Sequence, residues 1–561
     1  MKRSIKNIIM ILVIIIMIVG LFFTVKSNDN KNMGGSPPSM ENGSPPEKPE
    51  GENNGDMMPT FPDEEERGTP PEMPSGEMPN MPGNSSSTTM YILLGVESLI
   101  ISTMLVYLVM SKFNKKTFKE TYQDKDKLII SILSIIILTA GITYFCGSLK
   151  SDNTQMGMPN GGGSSGNVTY SASKEITSDE TITEGEYSSS KGDENAISVS
   201  KATTNLSNIT VNKKGDSDGG DNTSFYGNNS AILAKDGAVV NITDSVINTS
   251  ANGANGVFSY GGSATTNNSS SDGTTVNISN TKITTTGNNS GGIMTTGGGV
   301  MNAKKLDIET SGTSSAAIRS DRGGGKVTVT EGTYKTTGIG SPSIYSTADI
   351  IVNDATLVAT ASEGVVIEGA NSVTLNNCSL TDTNNTLNGQ STTYKNIFLY
   401  QSMSGDAKEG GSSFTANNSS ITTNKGDSFY ITNTTATINL TNNKIINNDS
   451  TGYFLRSKAD SWGNKGSNGG SVTLNLTDQE VNGNIYIDNI STLVMNMNNS
   501  KFVGNINTDN VAKSITIKLD SNSIIKLTSD SYITSLEDED STYSNIDFNG
   551  YKLYVNGKAI N

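Results

Sequence analysis

The sequence predicts an all-β solenoid, a parallel β-helix, preceded by three transmembrane α-helices. Three observations carry this prediction. A strand–bend–strand half-repeat recurs seven times between Val239 and Val481. Three apolar runs, Ile8 to Val25, Met90 to Met110 and Leu128 to Cys146, each approach the roughly 20 residues that cross a bilayer as helix. Apolar residues make up only 34% of the 561-residue chain, which holds 58 glycines, a composition foreign to an ordinary globular enzyme.

Composition also excludes functions. The formal charge of -15 argues against a nucleic-acid partner. There is no histidine, so mechanisms that need an imidazole base, a His metal ligand or a Ser-His or Cys-His pair are closed. The two cysteines, Cys146 and Cys378, lie in different segments and suggest neither a disulfide framework nor a thiolate metal site.

Taken along the chain, the first apolar run follows Lys2, Arg3 and Lys6 without a small-residue cleavage site, so residues 1–26 read as an uncleaved anchor. The span 27–89 holds 12 of the 14 prolines and 12 acidic residues, the composition of an extended, solvated loop. Within 90–147 two further spans flank Lys112, Lys115, Lys116, Lys119, Lys125 and Lys127. The positive-inside bias puts that loop and the N-terminus in the cytoplasm, and an odd number of spans puts the C-terminal region outside a bacterial cell membrane. Residues 148–167, with QMGMPNGGGSSG, read as a flexible tether.

From 168 to 561 helical periodicity is absent and short alternating runs end at Asn, Asp or Gly. The seven half-repeats include VVNITDSVI (Val239 to Ile247), TVNISNTKI (Thr275 to Ile283), KVTVTEGTY (Lys326 to Tyr334) and SVTLNNCSL (Ser372 to Leu380). The polar bend residue suits left-handed backbone angles. Cys378 sits at such a bend and reads as a small packed residue. Before each copy stands a second half-repeat with an apolar pair, as in AAIRSDR, PSIYSTA, VVIEGAN, IFLYQSM, FYITNTT and YFLRSKA. Two half-repeats make one coil, with steps of 26, 23, 32, 32 and 24 residues from Arg319 to Arg456. About 14 coils at ~4.8 Å give a rod of about 60 to 70 Å. The tail from Ser531 departs from the repeat and is expected to cap the last coil.

Stacking the second half-repeats predicts an outward column Arg319, Tyr345, Glu368, Tyr400, Thr432 and Arg456, with Gln401 beside it. Rings that pack on sugar faces, together with carboxylate, amide and guanidinium groups, suit an extended saccharide. Trp462, in the loop SWGNKGSNGG, reads either as a sugar or partner contact or as a lid over the coil. The competing reading is a ladder of solvated side chains with Arg319 and Glu368 paired across coils.

The coil pattern, in segments such as AAIRSDRGGGKVTV, GSPSIYSTADI and SEGVVIEGANSVTL, resembles the right-handed parallel β-helix proteins of the pectate-lyase-like superfamily, in particular adhesin-like bacterial surface proteins. The resemblance implies a membrane-anchored or secreted surface protein that contacts polysaccharide or another cell-surface ligand; three spans, where one would anchor, point to a membrane protein as a further partner. It implies an enzymatic alternative, a Ca²⁺-dependent polysaccharide lyase, whose nearest local equivalents are Arg319, Asp321 and Arg322 for catalysis and Asp321, Glu363 and Glu368 for the metal. The Asp pair, His and Arg-Ile-Lys signature of the polygalacturonase-like members are missing from this chain. A purely structural stalk is the third reading.

Overall fold

In each half-repeat the apolar residues fall at alternate positions, which in a strand sends them all to one side. Val240 and Ile242, Val276 and Ile278, and Val327 and Val329 therefore share a face, and all six are buried. The structure, a computed structural model, describes residues 168–561 apart from 218–219, 264–269 and 390, together with ten scattered positions between 99 and 139. In it Val240 lies opposite Val276, then Met301, Val327, Ile350 and Val373, one coil after another. A second inward column runs Ile232, Val257, Ile293, Ile318, Ile344, Val365 and Ile397. Burial of these columns supplies the driving force, at roughly 1.5–3 kcal/mol per large apolar side chain.

The strands stack as sheets of twelve, 22, four and three strands, parallel except for one pair in the last. The twelve-stranded sheet starts at Ala172–Ile176 and ends at Ile485–Ile487. Strands one coil apart are its neighbours, which is the arrangement of a parallel β-helix. Bend residues take the predicted left-handed angles, with φ of 50° at Asp244, 47° at Asn280, 55° at Asp354, 53° at Asn377 and 50° at Asn418. Asn and Asp tolerate this region because their short side chains bond nearby backbone. Lys305 and Glu331 occupy the same bend at φ 53° and 60°, so two coils accept side chains less suited to it. At another corner the coils approach too closely for any side chain. A Cβ on Gly312 would lie 1.8 Å from the Gly287 carbonyl oxygen, and one on Gly338 would lie 1.8 Å from that of Gly312.

The coil pattern continues further than the repeats suggested. Ser535–Asp538 and Ile546–Asp547 still pair in parallel with the preceding coils. The winding ends at an antiparallel return, Tyr554 opposite Ala559 and Val555 opposite Lys558.

Two compact units divide between Thr154 and Gln155, and all the strands above belong to the second. The expectation of three transmembrane helices needs correction. Among the described residues no helix is long and apolar enough to cross a membrane, and the one helix with described bounds, Asp221–Tyr226, has 6 residues against the roughly 20 a bilayer demands. The run 8–25, the loop 27–89 and the tether up to 167 lie outside the described residues, and the runs 90–110 and 128–146 contribute only isolated helical positions. The multi-pass placement in a bacterial membrane loses its support with them.

Candidate functional site

The outward face of the twelve-stranded sheet holds the predicted column, but in a different register. Arg319 does lie opposite Tyr345. Tyr345 then faces Val366 rather than Glu368, and the column continues through Phe398, Tyr430 and Arg456. Glu368, Tyr400 and Thr432 form a neighbouring column two residues further along the strands. The sequence alignment slipped because Val366 and Phe398 are apolar yet point away from the coil interior. They do so because this face is not open to solvent.

Three segments cover it. Phe225, in the short helix Asp221–Tyr226, stacks under Arg322 at 3.9 Å. The segment 401–411 is held by Arg322 donating to Asp406 at 2.7 Å and by Ser402 donating to Glu368. From the loop after Arg456, Trp462 packs on Phe398 and Tyr400 at centroid distances of 5.2 and 5.3 Å, while Asp460 accepts the Tyr430 hydroxyl. Trp462 thus serves as the lid. Val366, Phe398, Tyr400 and Tyr430 are buried beneath it.

Polar groups on this face are matched to one another. Arg319 donates to Asp321 at 2.9 Å, and both are buried. Burial, opposed by Arg319 and reinforced by the charge of Asp406, pushes the Asp321 carboxyl up to about 6. It is therefore ionised and paired at neutral pH. Glu368 accepts the Tyr345 hydroxyl at 2.5 Å and the Tyr400 hydroxyl at 3.0 Å. Burial raises its carboxyl as well, against the lowering effect of Ser402, Tyr345 and Tyr400. Gln401 is buried, and its Oε1 has no partner. Arg456, half-buried, is clamped to Asp427 through Nε at 2.5 Å and Nη2 at 3.1 Å. Glu363 accepts from Ser362 at 2.9 Å and lies 3.6 Å from the Lys395 ammonium. The alternative metal set of Asp321, Glu363 and Glu368 is thus committed to three different sets of partners. Among the described residues no group of three acidic or Cys side chains is placed to hold a metal. Cys378 is a packed bend residue, its thiol 3.3 Å from the Val352 and Asn376 carbonyls.

The open polar surface lies elsewhere, on the 22-stranded sheet. An open groove of about 570 Å³ crosses five coils there, next to the left-handed bends. Its floor is an amide ladder. Asn302 donates to Asn277 at 2.9 Å, Asn277 to Asn241 at 2.8 Å, Asn241 to Asn205 at 2.9 Å and Asn205 to Thr181 at 3.2 Å. Each primary amide has two N–H donors, and the ladder uses one, so each rung keeps a donor for a ligand. Ser207, Thr243, Ser279, Lys304, Thr328 and Thr330 line the rest, together with Leu206, Ile242, Ile278 and Ala303. These residues were missed as a site, although the sequence carried their signal: Asn stands at the second position of VNIT and VNIS, and again in the aligned Met-Asn-Ala at 301–303.

Comparison of the chain with protein-family models, with curated proteins and with solved structures returned no match in any of the three.

Proposed function

We propose that this β-helix is a binding module for an extended, hydroxyl-rich polymer, a polysaccharide, which lies in the groove along the Asn205, Asn241, Asn277 and Asn302 ladder. The observation that carries this reading is the ladder itself. It presents one spare amide donor per coil at a repeat of ~4.8 Å, flanked by Ser and Thr hydroxyls in a concave, solvent-open trough. A polymer with regularly recurring hydroxyls gains one hydrogen bond per rung without bending, and the rigid sheet requires little ordering on binding. The groove contains one cation, Lys304, and no carboxylate, which favours neutral or mildly acidic sugars over basic ligands. The resemblance to pectate-lyase-like β-helices agrees with a saccharide ligand. No carboxylate or Arg among the groove-lining side chains supplies an acid or base for cleavage, so the reading is binding without turnover.

The test is retention of the purified protein on a panel of immobilised neutral and acidic glycans. Wild type is expected to be retained on at least one, and Asn241→Ala with Asn277→Ala to lose at least ten-fold in affinity. Tyr345→Phe, on the covered face, is expected to change nothing. A wild-type protein that no glycan retains returns the molecule to a structural stalk, and unsaturated products released from a glycan require the lyase reading.

A further inference from the structure

Glu363, Lys395 and Asp427 stand at matching positions of three successive coils, since Val365 pairs with Ile397 and Lys395 with Asp427. Asp427 is taken by Arg456 and Asp460 accepts the Tyr430 hydroxyl, which leaves Glu363 as the acid paired with Lys395. The Lys395 side chain is 0% exposed and that of Glu363 9%. The ammonium lies 3.6 Å from Glu363 Oε1 under a roof of Phe398, Tyr430 and Trp462, at 4.4, 5.1 and 5.8 Å from the ring centres. Its other contacts are Ser391 Oγ at 2.5 Å and the Thr393 carbonyl at 3.1 Å.

We propose that Lys395 and Glu363 condense to an intramolecular amide bond that ties two neighbouring coils together beneath the aromatic lid. Three conditions favour this. The reacting groups are held close, which removes the entropic cost of bringing them together. Water is excluded by the rings, so hydrolysis does not compete. The amine is also predisposed to attack: burial lowers the Lys395 ammonium from its ordinary value, against the opposing effect of Glu363.

In the reaction the Nζ–Cδ bond forms and one Cδ–O bond of Glu363 breaks. The departing oxygen leaves as water with the two protons that the Lys395 nitrogen gives up. Ammonium plus carboxylate become amide plus water, so charge and atoms balance and no oxidant or reductant takes part.

Intact-mass spectrometry of the full-length protein tests this. Wild type is expected to weigh one water less than its sequence, with a protease digest giving a branched peptide that joins Glu363 to Lys395. Lys395→Met and Glu363→Ala are expected to restore the full mass. Wild-type protein at its full sequence mass after prolonged incubation at neutral pH overturns the proposal, as does a lost water that maps to other residues. The wild-type measurements decide the matter even where a variant fails to fold.

Discussion

The outward faces of the twelve-stranded and 22-stranded sheets are built by the same rule, side chains stacked one per coil, yet they have opposite fates. On the first, rings and ion pairs lie beneath three inserted segments. On the second, amides and hydroxyls line an open groove. The difference shows that a residue's position in the coil sets its neighbours along the axis, while loops inserted elsewhere decide whether it meets solvent. Aromatic and charged residues, which draw the eye as ligand contacts, serve here as packing and pairing. The plain Asn, Ser and Thr columns are the ones left accessible.

Substitutions on the two faces sharpen this contrast. The largest effect is expected from Phe398→Ala. Phe398 stacks on Tyr400 at 4.4 Å and supports both Trp462 and Lys395, and emptying such a site costs about 3–5 kcal/mol. Urea unfolding measures the loss, and the fluorescence of Trp462, the only tryptophan, is expected to shift to the red as the lid loosens. A cost below about 1 kcal/mol would mean that the lid is not packed as described.

Asp321 gives the next effect, through pH. Its carboxyl is raised in the folded state to about 6, above the unfolded value of about 3.9. The stability it contributes is therefore complete below about pH 4 and is lost as pH rises through about 6, a change of roughly 3 kcal/mol. Asp321→Asn removes this dependence, so the variant is expected to gain on wild type by that order between pH 4 and 7. Parallel stability curves for the two proteins would show that the carboxyl is not buried with a raised proton affinity.

The smallest effect on stability belongs to the open face. Asn277→Ala removes one ladder bond at a solvent-accessible rung and is expected to cost about 1 kcal/mol or less, while weakening glycan retention. A large loss of stability there would place the ladder in the framework of the coil rather than in the site.

Most of the coil was readable residue by residue. Val240, Val276 and Val327 announced an inward column because alternation in a strand is a local property, and Asp244, Asn280 and Asn377 marked the bends because left-handed angles select for short polar side chains. The site was less readable. Arg319 and Tyr345 were correctly stacked, but Glu368 was set two residues out of register by the outward-facing Val366, whose apolar character makes sense only beneath a cover. The groove was overlooked because its Asn residues resemble ordinary solvated strand positions until their stacking into one trough is seen.

By itself the sequence determined that this chain winds into stacked coils with small apolar columns inside and Asn or Asp at the corners, since each of those features depends on residues within one coil or its copy in the next. The tertiary structure alone decided which outward columns stay open and which acid meets which base: Asp406 reaches Arg322, Trp462 roofs Lys395, and Glu363 faces that same lysine. Those contacts join residues 30 to more than 80 positions apart, and they depend on where inserted loops come to rest, which no local periodicity encodes.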